Sequence, residues 1–254
     1  MTLETQIKFY LMKVNLGLFA LAVAFVIGAF FASEAYLDRS RTNDGIRVTG
    51  LGKRDFKSDL IVWEASFSRK SMDLQSAYAS LEEDRSRVSD FLISEGVLTD
   101  EMVFSSVDIN KEFDYQYDQN GNGRQVFTGH RLTQRVEINS KEIETIEKVS
   151  RKVTGLINQG VEINSYAPNY YYTGLSELKI EMIAAATEDA RIRAERIAEN
   201  AGADLGELHK ADMGIFQIIG QNSNEDYSWG GTYNTSSKMK TATITMRLEF
   251  GVDD

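Results

Sequence analysis

Two histidines, His130 and His209, and no cysteine are the scarce reactive groups of this 254-residue chain. Thiol nucleophiles, disulfides and cysteine-based zinc sites are therefore excluded, and an imidazole-rich metal cage is hard to assemble. Carboxylates are abundant, 38 against 28 Lys and Arg. Runs such as Glu82-Glu83-Asp84 and Asp100-Glu101 nevertheless read as solvated faces, and spacing alone assigns no acid/base pair. The chain contains no G-x-S-x-G elbow, Walker loop, H-E-x-x-H or complete G-x-G-x-x-G. Gly50-Leu51-Gly52-Lys53 is too short to cradle phosphate. Asp118-Gln119-Asn120-Gly121-Asn122-Gly123 opens like a calcium loop, but the bidentate Glu of position 12 falls on Gly129 and the apolar position 8 on Gln125. The segment reads better as a hairpin tip whose Asn and Gly residues supply positive φ. His130 lies in a strand and His209 at a strand start, where structural or solvated roles are expected. The expectation is no enzyme, no cofactor and no metal; the alternative is a hydrolase with carboxylates and one of these histidines as acid/base.

Aromatic residues offer a different chemistry. Tyr166, Tyr170, Tyr171 and Tyr172 form one set, and three consecutive tyrosines cannot all point inward along a strand. Tyrosine suits interfaces because the ring buries area while the hydroxyl stays wet. Trp229 and Tyr233, in a polar loop over 221–237, could complete a partner contact. These six are the candidate interface residues. Phe113, Tyr115 and Tyr117 share a strand face and read as a core stripe. Asn234-Thr235-Ser236 is a glycosylation sequon.

The elements that must position them follow an apolar run. Residues 14–32, bounded by Val14 and Ala32, carry no charge and span about 28 Å as a helix, close to a bilayer core. Ser33-Glu34-Ala35 could serve a signal peptidase, but the run is longer than an ordinary signal-peptide core, which favours a retained anchor. Residues 1–13 then form a cytoplasmic tail and 33–45 a polar tether. Basic residues on both sides nearly cancel the orientation rule. The tail, anchor and acidic remainder together suggest an inner-membrane protein whose domain faces the periplasm or the outside. With Glu4, Lys8 and Lys13 on the membrane side, the rest of the chain carries −11 of the net −10, so nucleic acid is not an expected partner.

Beyond the tether, strands are expected from Ile46 to Val62, turned at Lys57-Ser58-Asp59, then an amphipathic helix over 71–94. A hairpin over 103–117 and 126–139 follows, then a helix over 141–157 and a strand over 161–172. A helix over 176–201 carries the small stripe Ala186, Ala190, Ala194 and Ala198, fit to lie close on a sheet. Strands over 207–220 and 238–250 close the chain, with the 221–237 loop expected to be mobile. Interspersed hairpins and helices mean α+β, an antiparallel or mixed sheet with three main amphipathic helices behind one transmembrane helix.

Val48-Thr49-Gly50-Leu51-Gly52 followed by Ser58-Asp59-Leu60-Ile61-Val62-Trp63 resembles the opening strands of the SIMPL-domain family. Tyr172-Thr173-Gly174-Leu175 leading into the alanine-spaced helix, and the closing Thr245-Met246-Arg247-Leu248-Glu249-Phe250, are similar to its later blocks. The likeness covers 46–250. It implies a periplasmic or cell-surface domain of poorly defined role, with some members tied to envelope stress and some assembling into channel-like rings. No catalytic residue is carried over. The expected function is a membrane-anchored envelope module that binds lipid through its helix, forms homo-oligomers and can take a protein partner; a ring or channel-like assembly is the alternative.

Overall fold

The structure is a computed structural model that describes residues 23–34, 45–117 and 123–253. Residues 23–34 are helical, with Phe25, Val26, Phe30 and Phe31 exposed. Among the described residues no helix is long and apolar enough to cross a membrane. Val14, the rest of the apolar run up to residue 22, and most of the calcium-like segment, 118–122, lie outside the described residues.

The elements run β1 (Gly45–Lys57), β2 (Leu60–Ser71), α1 (Leu74–Ser94), a 3-10 turn (Thr99–Glu101), β3 (Met102–Phe104), β4 (Asp108–Tyr117) and β5 (Gly123–Ser140). Then come α2 (Ile143–Lys152), a 3-10 stretch (Val153–Gln159), β6 (Glu162–Ser165), β7 (Asn169–Tyr171), α3 (Leu175–Ala201), β8 (Asp204–Met213), β9 (Gln217–Gly220) and β10 (Met239–Asp253). The fold is α+β, as expected. It divides into two compact units: the described parts of Met1–Leu51, Ala185–Gly214 and Thr245–Asp254, and those of Gly52–Ala184 and Ile215–Ile244.

The larger unit is built on β2, which pairs antiparallel with β5 along Ile61↔Ser140 to Ser71↔His130 and with β6 and β7 on its other edge. Alternation puts Ile61, Trp63, Ala65 and Phe67 on one face, where Leu81, Val88 and Leu92 of α1 and Ile146 and Val149 of α2 bury them. Trp63 is fully buried, and its indole N–H donates to Ser165 Oγ at 3.1 Å, which donates onward to the Ser150 carbonyl at 2.7 Å. The largest core side chain thus keeps its polar atom satisfied. Asp73 caps α1 by accepting the Ser76 N–H at 2.7 Å.

Three expected strands are broken, each by an identifiable group. Pro168, the only proline, has no N–H for a ladder and separates β6 from β7. Ser105 takes over local pairing between β3 and β4, its Oγ accepting the Arg135 N–H and its carbonyl accepting from Gln134. Gly214 ends β8 with its N–H on the Thr245 carbonyl at 2.8 Å. Two side-chain assignments also change. Asp84 is fully buried rather than on the solvated face, held by Arg69 in a two-pronged pair with Nη2 at 2.6 Å from Oδ1, and by Arg87. Phe113, Tyr115 and Tyr117 are exposed instead of core, because among the described residues β4 pairs only with β5 and no helix covers that hairpin.

In the smaller unit, β10 pairs with β8 from Met246↔Met213 to Asp253↔Asp204. Met246, Leu248 and Phe250 point inward and Arg247 outward. The alanine stripe packs as expected: Ala186, Ala190, Ala194 and Ala198 are buried. Gly50 shows how close the approach is, since a Cβ there would stand 2.0 Å from the Ala186 carbonyl oxygen and 2.5 Å from the Ala190 nitrogen. The Leu51 N–H donates to Asp189 at 2.8 Å, fixing strand to helix.

A candidate interaction site

The predicted aromatic residues lie on β7 (Tyr170, Tyr171), on its flanks (Tyr166, Tyr172) and in the 221–237 segment (Trp229, Tyr233), all within the larger unit. Alternation along β7 separates its two tyrosines. Tyr170 turns toward the core and its hydroxyl donates to Glu147 at 3.0 Å. Burial, reinforced by that carboxylate, pushes the phenol up to about 12. Tyr171 faces the other way, its ring 6.4 Å from that of Tyr233. Tyr172 tilts over Phe56 at 4.8 Å, and its N–H donates to Tyr233 Oη at 3.4 Å. Tyr166 stands apart, its hydroxyl 3.1 Å from Ser66 Oγ. The structure therefore gathers Tyr171, Tyr172 and Tyr233 into one half-exposed cluster and leaves Tyr170 as a core residue.

The expected mobile loop is pinned. Lys240, a residue the sequence reading passed over, is fully buried and sends its ammonium to the carbonyls of Asn234 and Ser237, both at 2.6 Å. Burial lowers this lysine to about 8, and the nearby Glu225 charge works in the opposite direction. Asn234 is buried; its N–H donates to the Ile218 carbonyl at 2.9 Å, its amide nitrogen to Glu225, and its Oδ1 accepts the Ser237 N–H at 2.8 Å. The sequon's acceptor nitrogen is thus engaged inside the fold. On β7, the Tyr170 N–H donates to the Thr235 carbonyl at 2.7 Å. Only the solitary lysine in the strand pattern Met239-Lys240-Thr241-Ala242-Thr243-Ile244 hinted at this arrangement.

Trp229 sits at the apex of a turn closed by the Gly231 N–H on the Ser228 carbonyl at 3.0 Å. Buried Gln217 grips the same residue from below, donating to the Ser228 carbonyl at 2.7 Å and accepting the Ser228 N–H at 3.4 Å. The indole itself is 96% exposed. A large apolar ring is thereby held outward on a backbone already ordered, which lowers the entropy lost when a partner covers it. Trp is the residue type most often found as a binding hot spot.

The smaller unit presents a contrasting surface. A groove of about 400 Å³ lies on the outer face of the β1–β10–β8 strands, lined by side chains of Arg47, Thr49, Lys210, Asp212, Arg247 and Glu249. Arg47 pairs with Glu249 at 3.0 Å and Lys210 with Asp212 at 3.0 Å. Arg247 forms no ion pair among the described residues, although Asp212 stands opposite it in the strand register.

Of the histidines, His209 is exposed on β8, and His130 packs on Phe127 at 5.1 Å between ring centres with Nδ1 buried. Among the described residues no three His, Asp or Glu side chains gather as a metal site. Comparison with known families agrees with the blocks quoted above: the SIMPL family model, described as a protein of unknown function (DUF541), matches residues 46–249. No curated protein matches the chain.

Proposed function

We propose, for a chain that belongs to the SIMPL family, the role of a membrane-anchored, extracytoplasmic interaction module that self-assembles as part of an envelope scaffold, rather than that of an enzyme. The observation that carries the interaction role is the Trp229 turn, an exposed indole on a backbone fixed by Gln217 and by the Lys240 cage. The Tyr171, Tyr172 and Tyr233 cluster adds a second aromatic surface. Anchoring is supported by the uncharged run 14–32 and by the helical residues 23–34, whose Phe25, Phe30 and Phe31 are exposed. The short tail, the apolar run and the acidic domain behind it favour a single pass through the inner membrane with the domain outside the cytoplasm, and the family resemblance is what suggests a link to envelope stress.

Membrane fractionation with alkaline carbonate tests anchoring: the protein should stay in the pellet, and release into the supernatant would refute it. Protease added to spheroplasts should digest the domain. Sedimentation of the detergent-extracted full chain tests self-association, and a strict monomer across concentrations would overturn that part.

A further inference from the structure

We propose that the Trp229 turn of one copy docks into the groove on the β1–β10–β8 face of a second copy, making a head-to-tail joint; this deepens the self-assembly reading and rests on it. The two surfaces complement each other in charge. Residues 221–237 contain no Lys, Arg or His and two carboxylates, Glu225 and Asp226. Glu225 is occupied by Asn234 and by the Gly220 N–H at 3.4 Å, whereas Asp226 forms no ion pair among the described residues. The turn therefore offers one bare indole beside one uncommitted carboxylate. The groove offers the converse, a guanidinium at Arg247 whose natural cross-strand partner, Asp212, is taken by Lys210.

Arginine is the cation suited to this junction. Its planar group stacks on an indole face while its N–H fork still reaches a carboxylate, and the attraction strengthens once water is excluded. The groove volume falls in the range of sites that enclose a group of this size. Trp229, being 96% exposed, is left unseated by its own chain. Knob and groove are different patches, so the contact is heterologous: each copy uses one of each, and two copies leave a knob and a groove still open.

The test uses the full chain in detergent, Trp229→Ala and Arg247→Glu variants, and sedimentation velocity. Wild type should form assemblies larger than dimers. Each variant alone should associate at least about 30-fold more weakly, the loss expected for a hot-spot Trp or its charged counterpart. An equimolar mixture of the two variants restores one intact knob and one intact groove, so it should give one-to-one dimers and nothing larger. Trp229 fluorescence, supplied in the mixture only by Arg247→Glu, should shift to the blue as the dimer forms. If both variants assemble like wild type, or the mixture grows beyond dimers, the joint is overturned while self-assembly stands. If wild type is monomeric, the self-assembly reading itself fails. Should either variant lose its circular dichroism, Trp229→Ser and Arg247→Gln carry the same comparison.

Discussion

Replacing Gly50 with alanine probes the contact between β1 and α3 in the smaller unit. The added methyl would lie 2.0 Å from the Ala186 carbonyl oxygen, 2.5 Å from the Ala190 nitrogen and 2.8 Å from the Ala190 Cβ. Two of these three atoms are helix backbone, so no rotamer change relieves the overlap and the helix must move off the strand. Overpacking costs up to about 3 kcal/mol where neighbours cannot yield, which is about 6–12 °C in Tm for a domain of this size. Thermal denaturation of the full chain in detergent, followed by circular dichroism, should show that drop. Gly155→Ala, where nothing lies within 4 Å of the new Cβ, should stay within about 2 °C of wild type. Hydrogen exchange localises the effect, because the Leu51 amide should lose the protection it gains from Asp189. Adding Ala190→Gly removes the 2.8 Å contact but leaves both backbone clashes, and a glycine inside a helix costs about 1 kcal/mol more. The double variant should therefore be no more stable than Gly50→Ala alone. A Gly50→Ala protein that melts with wild type, or a rescue by Ala190→Gly, would refute the backbone-contact argument.

Other perturbations follow from the same geometry. Arg69→Met leaves Asp84 a buried charge with only Arg87 beside it and should cost about 3–5 kcal/mol by urea denaturation, whereas Arg69→Met with Asp84→Leu should recover most of that loss. Lys240 holds its proton less tightly folded, at about 8, than at its ordinary 10.5, so the unfolded chain binds more protons in that window and wild-type stability gains as pH rises through it. Against Lys240→Met, the advantage of wild type in Tm should therefore widen from pH 8 to pH 10.5; a flat or shrinking gap would contradict the buried-ammonium assignment. Trp63 is fully buried and Trp229 is 96% exposed, so iodide should quench one component of the emission and spare the other. Trp229→Phe should abolish the quenched component alone.

Helices and their faces were legible because a 3.6-residue period records burial locally. The alanine stripe of α3 was legible as small residues fit to lie close on a sheet, and the structure sets Gly50 of β1 against it. Strand limits were less legible, since the breaks at Ser105 and Gly214 depend on partners at Arg135 and Thr245 that periodicity does not locate. The same distance hid Asp84: its charge reads as solvated on α1 until Arg69, on β2, is brought against it. At the candidate site, composition pointed to Trp229 and the tyrosines but not to their order. Six consecutive polar residues before Tyr227 look mobile in sequence, whereas the buried contacts of Lys240 and Gln217 arise only when the segment folds back on β9 and β10. The exposure of Tyr115 and Tyr117 was likewise undetermined by alternation, which tells which residues share a face but not whether anything lies over it.

The cage around Lys240 has a consequence for where such a protein can work. Loops that present a binding residue often draw their order from a captured cation, and their shape then follows the supply of that ion outside the cell. Here the positive charge is covalently attached to β10 and closes on the Asn234 and Ser237 carbonyls within the same chain. Its local concentration is set by chain geometry instead of by the medium. The Trp229 surface should accordingly keep its form in chelator-treated and calcium-poor media alike.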